Sequence, residues 1–106
     1  MKVAITGSAG HPDSIIDNHF GRCAFFIIYD TQLRSTEYIP NPYRSVPESA
    51  AVESVRFLVS RGINQIITGE LGQKAKGILE REKIQIIILR DQKMKISDII
   101  NLLNKK

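Results

Sequence analysis

Apolar residues come along this chain in short dense runs separated by glycine- and proline-bearing breaks, and the spacing inside each run selects its element. Val3-Ala4-Ile5 is a continuous apolar run ended by Thr6-Gly7-Ser8, which predicts a buried strand. Ala24 to Tyr29 is rich in aromatic and β-branched residues and predicts a central strand buried on both faces. Arg34 to Ile39 alternates more and is stopped by Pro40 and Pro42, as suits an edge strand paired with its predecessor as a hairpin. The pattern then turns helical. Ala51, Val55, Leu58 and Val59 fall on one face, with Ser45 and Glu48 as a capping box, Pro47 in the first turn and Gly62 as the stop. Ile63 to Thr68 reads as a strand, Leu71, Ala75, Ile78 and Leu79 as a helix face, and Ile84 to Leu89 as the most apolar strand. Ser97 is the expected cap of a last helix whose Ile96, Ile99, Ile100 and Leu103 share a face.

The order β-β-β-α-β-α-β-α joins a hairpin half to a crossover half. That predicts an α/β fold with one five-stranded mixed sheet, strand order 3-2-1-4-5, and three helices on its faces. In such a sheet the carboxyl ends of the first, third, fourth and fifth strands share an edge with the start of the second. The segments arriving there are Thr6 to His11, Asp17 to Cys23, Asn41 to Tyr43 and Gly69 to Gly72. Open α/β sheets bind ligands in the crevice beyond those ends.

With 106 residues, the chain is expected to form a single domain, residues 1–106. Its 42% hydrophobic and 25% charged residues exclude disorder as the main state. No apolar stretch approaches the roughly 18 residues of a membrane span. The N-terminus reaches glycine and proline too soon for a signal peptide core, so a reducing cytoplasm is the expected compartment. One cysteine excludes a disulfide within the chain and a Cys-rich metal cage. The formal charge is +4, of which Lys105 and Lys106 supply half. The remaining bases are interspersed with acids, which reads as a solvated surface rather than a nucleic-acid footprint, while still favouring anionic small molecules.

Chemistry concentrates in Asp17-Asn18-His19-Phe20-Gly21-Arg22-Cys23. His19 is a candidate metal ligand through a neutral ring nitrogen, and Cys23 through a thiolate favoured by nearby Arg22 and His19. The same residues also read as Asp17 capping a turn, Phe20 plugging the core and Cys23 packing as a small apolar residue. Gly69-Glu70-Leu71-Gly72 joins a strand to a helix whose start offers N–H groups to an anion, and it equally fits a tight turn. His11 before Pro12 reads as a turn residue, Phe25, Phe26 and Tyr29 as core, and Tyr38 and Tyr43 as possible borders of the crevice. No elbow motif surrounds a serine, and the first strand lacks the acids a two-metal nuclease needs.

Asp17-Asn18-His19-Phe20-Gly21-Arg22 with the strand ending Ile28-Tyr29-Asp30, and Gly62 to Ala75, together resemble the signature of the dinitrogenase iron-molybdenum cofactor biosynthesis family. Met1 to Thr6 and Ile84 to Leu89 also fit, so the resemblance spans nearly the whole chain. Two stretches depart from the family pattern: Arg44 to Ser49 replaces a glycine-rich segment, and Gln73 stands where a proline is common. The resemblance implies a ribonuclease H-like three-layer α/β/α sandwich. It further implies a cytoplasmic, non-catalytic carrier or scaffold for an iron-sulfur or iron-molybdenum-type cluster, bound transiently. His19 and Cys23 would be the metal ligands, Arg22 would offset the cluster's charge, and Gly69, Glu70 and Gly72 would complete the site. The implied partners are cluster donor and acceptor proteins, with no nucleic acid and no membrane, and a monomer or homodimer. A homodimer would supply two thiolates, and the exposed third strand is one place for chains to pair. The alternative is a metal-free regulatory module that binds an anionic small molecule or a protein partner.

Overall fold

The computed structural model describes residues 1–46 and 49–105. Strands β1 (Lys2–Gly7), β2 (Phe25–Asp30) and β3 (Ser35–Pro40) precede helix α1 (Ala50–Ser60). Strand β4 (Gln65–Thr68), helix α2 (Gln73–Arg81), strand β5 (Gln85–Ile88) and helix α3 (Ile96–Asn104) follow. The five strands form one sheet in the order β3-β2-β1-β4-β5, as the sequence pattern predicts. β1 pairs antiparallel with β2, Val3 opposite Tyr29, and parallel with β4, Ala4 opposite Ile66. β3 extends the antiparallel side and β5 the parallel side.

Side chains alternate across a strand, so the central strands feed two cores. Ala4, Phe26, Ile28 and Ile66 pack against Val55 and Leu58 of α1 and Ala75 and Leu79 of α2. Val3, Ile5, Ile27 and Ile67 pack against Ile96 and Ile99 of α3. The result is a three-layer α/β/α arrangement with two helices on one face and one on the other. Each fully buried isoleucine contributes about 1.5–3 kcal/mol by leaving water, which explains the insistence on apolar residues on both faces. Tyr29 is also buried, and its hydroxyl donates to Asn104 Oδ1, tying β2 to the end of α3.

Helix ends show where local reading holds and where it fails. Gly62 has φ +75°, its N–H donates to Val59 O, and the Ile63 N–H donates to Leu58 O, so it ends α1 as a glycine stop should. The Ser45–Glu48 capping box and Pro47 fall partly outside the described residues; Ser45 itself sits in a turn, and α1 begins only at Ala50. The expectation for Ser97 is overturned. α3 starts after Lys95, and the first helical N–H groups, Ile96 and Ser97, donate to the carbonyls of Ser14 and Pro12. A distant loop supplies the cap, so no capping side chain is needed.

Candidate functional site

The loop from Asp17 to Cys23 is anchored first at the end of β1. The Asp17 N–H donates to Thr6 O at 2.8 Å, and the Thr6 hydroxyl donates to Asp17 O at 2.7 Å. The Asp17 carboxylate then organises the rest. Its Oδ1 accepts from the His19 backbone N–H at 2.9 Å and faces His19 Nδ1 at 3.2 Å, while Oδ2 accepts from the Ala24 N–H at 3.2 Å. Thus the aspartate closes a turn and orients the imidazole. A carboxylate accepting several hydrogen bonds is missed when removed, so Asp17→Ala should lower folding stability by about 1–3 kcal/mol in a urea titration.

Two close approaches fix this loop against its neighbours. A Cβ on Gly69 would lie 2.4 Å from Asn18 Oδ1 and 2.8 Å from Asn18 Cα, and the Glu70 N–H donates to Asn18 O at 2.8 Å. A Cβ on Gly21 would lie 2.8 Å from Ala51 N, so α1 begins directly on the loop. Gly21 O accepts from Asn41 Nδ2 at 2.9 Å and from the Ser54 hydroxyl at 3.3 Å. Arg22 Nη1 donates to Arg44 O at 3.2 Å.

These contacts leave an open cleft of about 410 Å³ walled by Asn18 to Arg22, by Ala50 and Ala51, and by Glu70 to Gly72. His19, Arg22, Glu70 and Gly72 are brought together there. Gly69 lies just behind the wall, buried against Asn18. Gly72 has no atom within 4 Å of where a Cβ would stand, so the space beside it is open. The starts of α1 and α2 both border the cleft, each with first-turn N–H groups that lack an intrahelical acceptor. Each helix start carries roughly half a positive charge, and the pair faces the Glu70 carboxylate, with Arg22 also on the rim.

Cys23 is set apart. Its side chain is wholly buried in the core with Phe20, Phe26 and Val55, and Asn41 Nδ2 lies 3.8 Å from its sulfur. Burial, reinforced by the Asp17 carboxylate, pushes the thiol well above its ordinary value of 9.0, opposite to the expected thiolate. Arg22 and Cys23 are sequence neighbours that face opposite ways, one exposed and one buried. Among the described residues, no group of three or more His, Cys, Asp or Glu side chains is placed to hold a metal ion.

Other expected borders lie elsewhere. Tyr43 packs edge-on against Phe57, ring centroids 6.2 Å apart, and Asn41 braces the loop from beneath. His11 belongs to the loop whose Ser14 hydroxyl and N–H both donate to its carbonyl. Sequence reasoning missed Asn18 and the Ala50-Ala51 start of α1 as cleft walls. The signal available was the pair of small residues at a helix start, which lets a glycine loop approach closely.

A crevice beyond the strand ends of a mixed α/β sheet, edged by two helix starts, places the chain among α/β proteins with an open cleft at that edge. The chain belongs to the dinitrogenase iron-molybdenum cofactor family, whose model matches residues 1–106. An uncharacterised protein of Methanocaldococcus jannaschii is 28% identical over 71 residues, which cover 64% of this chain and 60% of that protein. The match therefore spans less than two thirds of that relative's length. The apo form of the orange protein from Desulfovibrio gigas superposes with a TM-score of 0.86 at 24% identity, covering 94% of this chain and 83% of that one. A NifB-like protein from Thermotoga gives a TM-score of 0.81 at 23% identity, covering 98% and 87%. At these identities the two structures establish the shared fold. No helix is long and apolar enough to cross a membrane among the described residues.

Proposed function

We propose that the protein is a small non-catalytic carrier or scaffold that takes an anionic iron-sulfur or iron-molybdenum-type cluster into the cleft and passes it between cluster donor and acceptor proteins. The observation that carries this reading is the convergence of two helix starts, Arg22 and an aspartate-oriented His19 on one open cleft. With Nδ1 held by Asp17, Nε2 is the nitrogen left for a metal, the arrangement common to ligating histidines. His19 thus supplies one direct ligand, and charge and N–H donors hold the remainder of the cluster. Cys23 serves packing.

Anaerobic reconstitution with iron and sulfide, followed by visible absorption and iron analysis, tests the site. The double variant His19→Ala with Arg22→Ala should load at least tenfold less cluster, while Cys23→Ala should load as the parent does. Full loading of the double variant, or loss of loading in Cys23→Ala alone, would remove the cleft from the account. A second reading is a metal-free regulatory module that binds an anionic small molecule at the two helix starts and Arg22. It takes over if no cluster is taken up while phosphates or dicarboxylates raise the melting temperature.

A further inference from the structure

The two edges of the sheet are built differently. β3 carries Glu37, paired with Arg61, and closes on Pro40, both of which discourage strand addition. β5 reads Gln85-Ile86-Ile87-Ile88 with neither charge nor proline, and Ile88 is 46% exposed. On its inner side, the Gln85 and Leu89 N–H groups donate to Asn64 and Thr68 carbonyls of the β4 side, at 3.0 and 2.9 Å. By the two-residue strand period, Ile86 and Ile88 turn their N–H and C=O groups to the open edge. Beside them runs a groove of about 460 Å³, bordered by Leu71, Gln73, Lys76, Ile86 and Ile88.

We propose that β5 is a self-association edge, at which two copies pair their β5 strands antiparallel about a two-fold axis at Ile87. The occupant is a second copy of this chain because the strand complements itself. In that register Ile86 of one copy stands opposite Ile88 of the other, so the outward N–H and C=O groups of both meet in hydrogen-bonded pairs. A register shifted by one residue would set outward groups against inward ones. The same register brings Lys83 of each copy toward Asp91 of its partner, an exposed pair of opposite charge, with exposed Arg90 and Lys93 beside it. Ile88 is covered by the partner's Ile86 in the groove. The interface rests on the strand edge, and its groove meets the cleft only at Glu70 and Leu71. It also moves chain pairing from the third strand, where the sequence pointed, to the fifth.

Sedimentation of the purified full-length chain across a concentration series tests the edge. The parent should dimerise in the micromolar range, and Ile88→Lys should weaken dimerisation at least tenfold with an unchanged circular dichroism spectrum. Thr36→Lys on β3 should leave it intact. Independently, Ile87→Cys should give an oxidised crosslinked dimer, because the non-hydrogen-bonded pair at the axis brings the two positions together. A parent chain that stays monomeric at millimolar concentration would overturn the proposal. So would a dimer indifferent to Ile88→Lys or lost in Thr36→Lys.

Discussion

Gly69→Ala should lower folding stability by about 2–3 kcal/mol, which for a chain of this size moves the thermal midpoint down by about 10–20 °C. The cause is contact with backbone, not with a pliable side-chain tip. The added methyl would lie 2.8 Å from Asn18 Cα as well as 2.4 Å from its Oδ1. Asn18 has little freedom to withdraw, because its carbonyl accepts the Glu70 N–H and the preceding residue is pinned to Thr6 from both sides. The strain must therefore separate the Asp17–Cys23 loop from the start of α2, opening the wall of the cleft. Gly72→Ala is the matched control. No atom lies within 4 Å of its missing Cβ, and its φ of −71° suits any residue. Calorimetry of the two variants should show a large loss for the first and at most about 1 kcal/mol for the second, where Ala is only the poorer N-cap of α2.

The second large effect concerns Cys23. A thiol reagent added to the folded protein should label it at least about a thousandfold more slowly than an exposed thiol, since access requires an opening that costs on the order of 5 kcal/mol. The sign of its pH linkage follows from the direction of its shift. Burial raises the folded thiol above its ordinary value of 9.0, while the unfolded chain ionises at that value. The contribution is complete below that pH. Above it the unfolded state binds fewer protons than the folded one, so stability falls by up to about 1.4 kcal/mol per pH unit. Chemical denaturation between pH 8 and 10 should show this decline in the parent and a shallower one in Cys23→Ala. Rapid labelling of native protein would place the thiol at the surface and refute both expectations.

The sheet order was legible because it depends on the two patterns sequence displays best: apolar runs of strand length, and the switch from hairpin to crossover connections. The cleft was legible as a location, since topology alone sends Asp17 to Cys23 and Gly69 to Gly72 to one edge. What stayed hidden depends on direction and distance. Nothing local says that the chain turns between Arg22 and Cys23 so that one side chain reaches solvent and its neighbour the core. Nor does anything near Ile96 announce that carbonyls of Pro12 and Ser14 will cap it, which is why Ser97 drew the assignment. Asn18 and Ala50-Ala51 escaped because their part in the cleft is made of backbone proximity, and small or amide side chains carry little advertisement of it.

That borrowed cap on α3 has a consequence for the order of assembly during synthesis. The loop it comes from leads straight into Asp17, and Ile16 is itself held by the Met94 carbonyl, while Ile15 bridges to Lys95. Until the segment around Met94 to Ser97 has left the ribosome, the early loop lacks those partners. The cleft, whose residues lie mostly in the first half of the chain, is therefore adjoined by a loop that gains its last partners only when the final helix emerges.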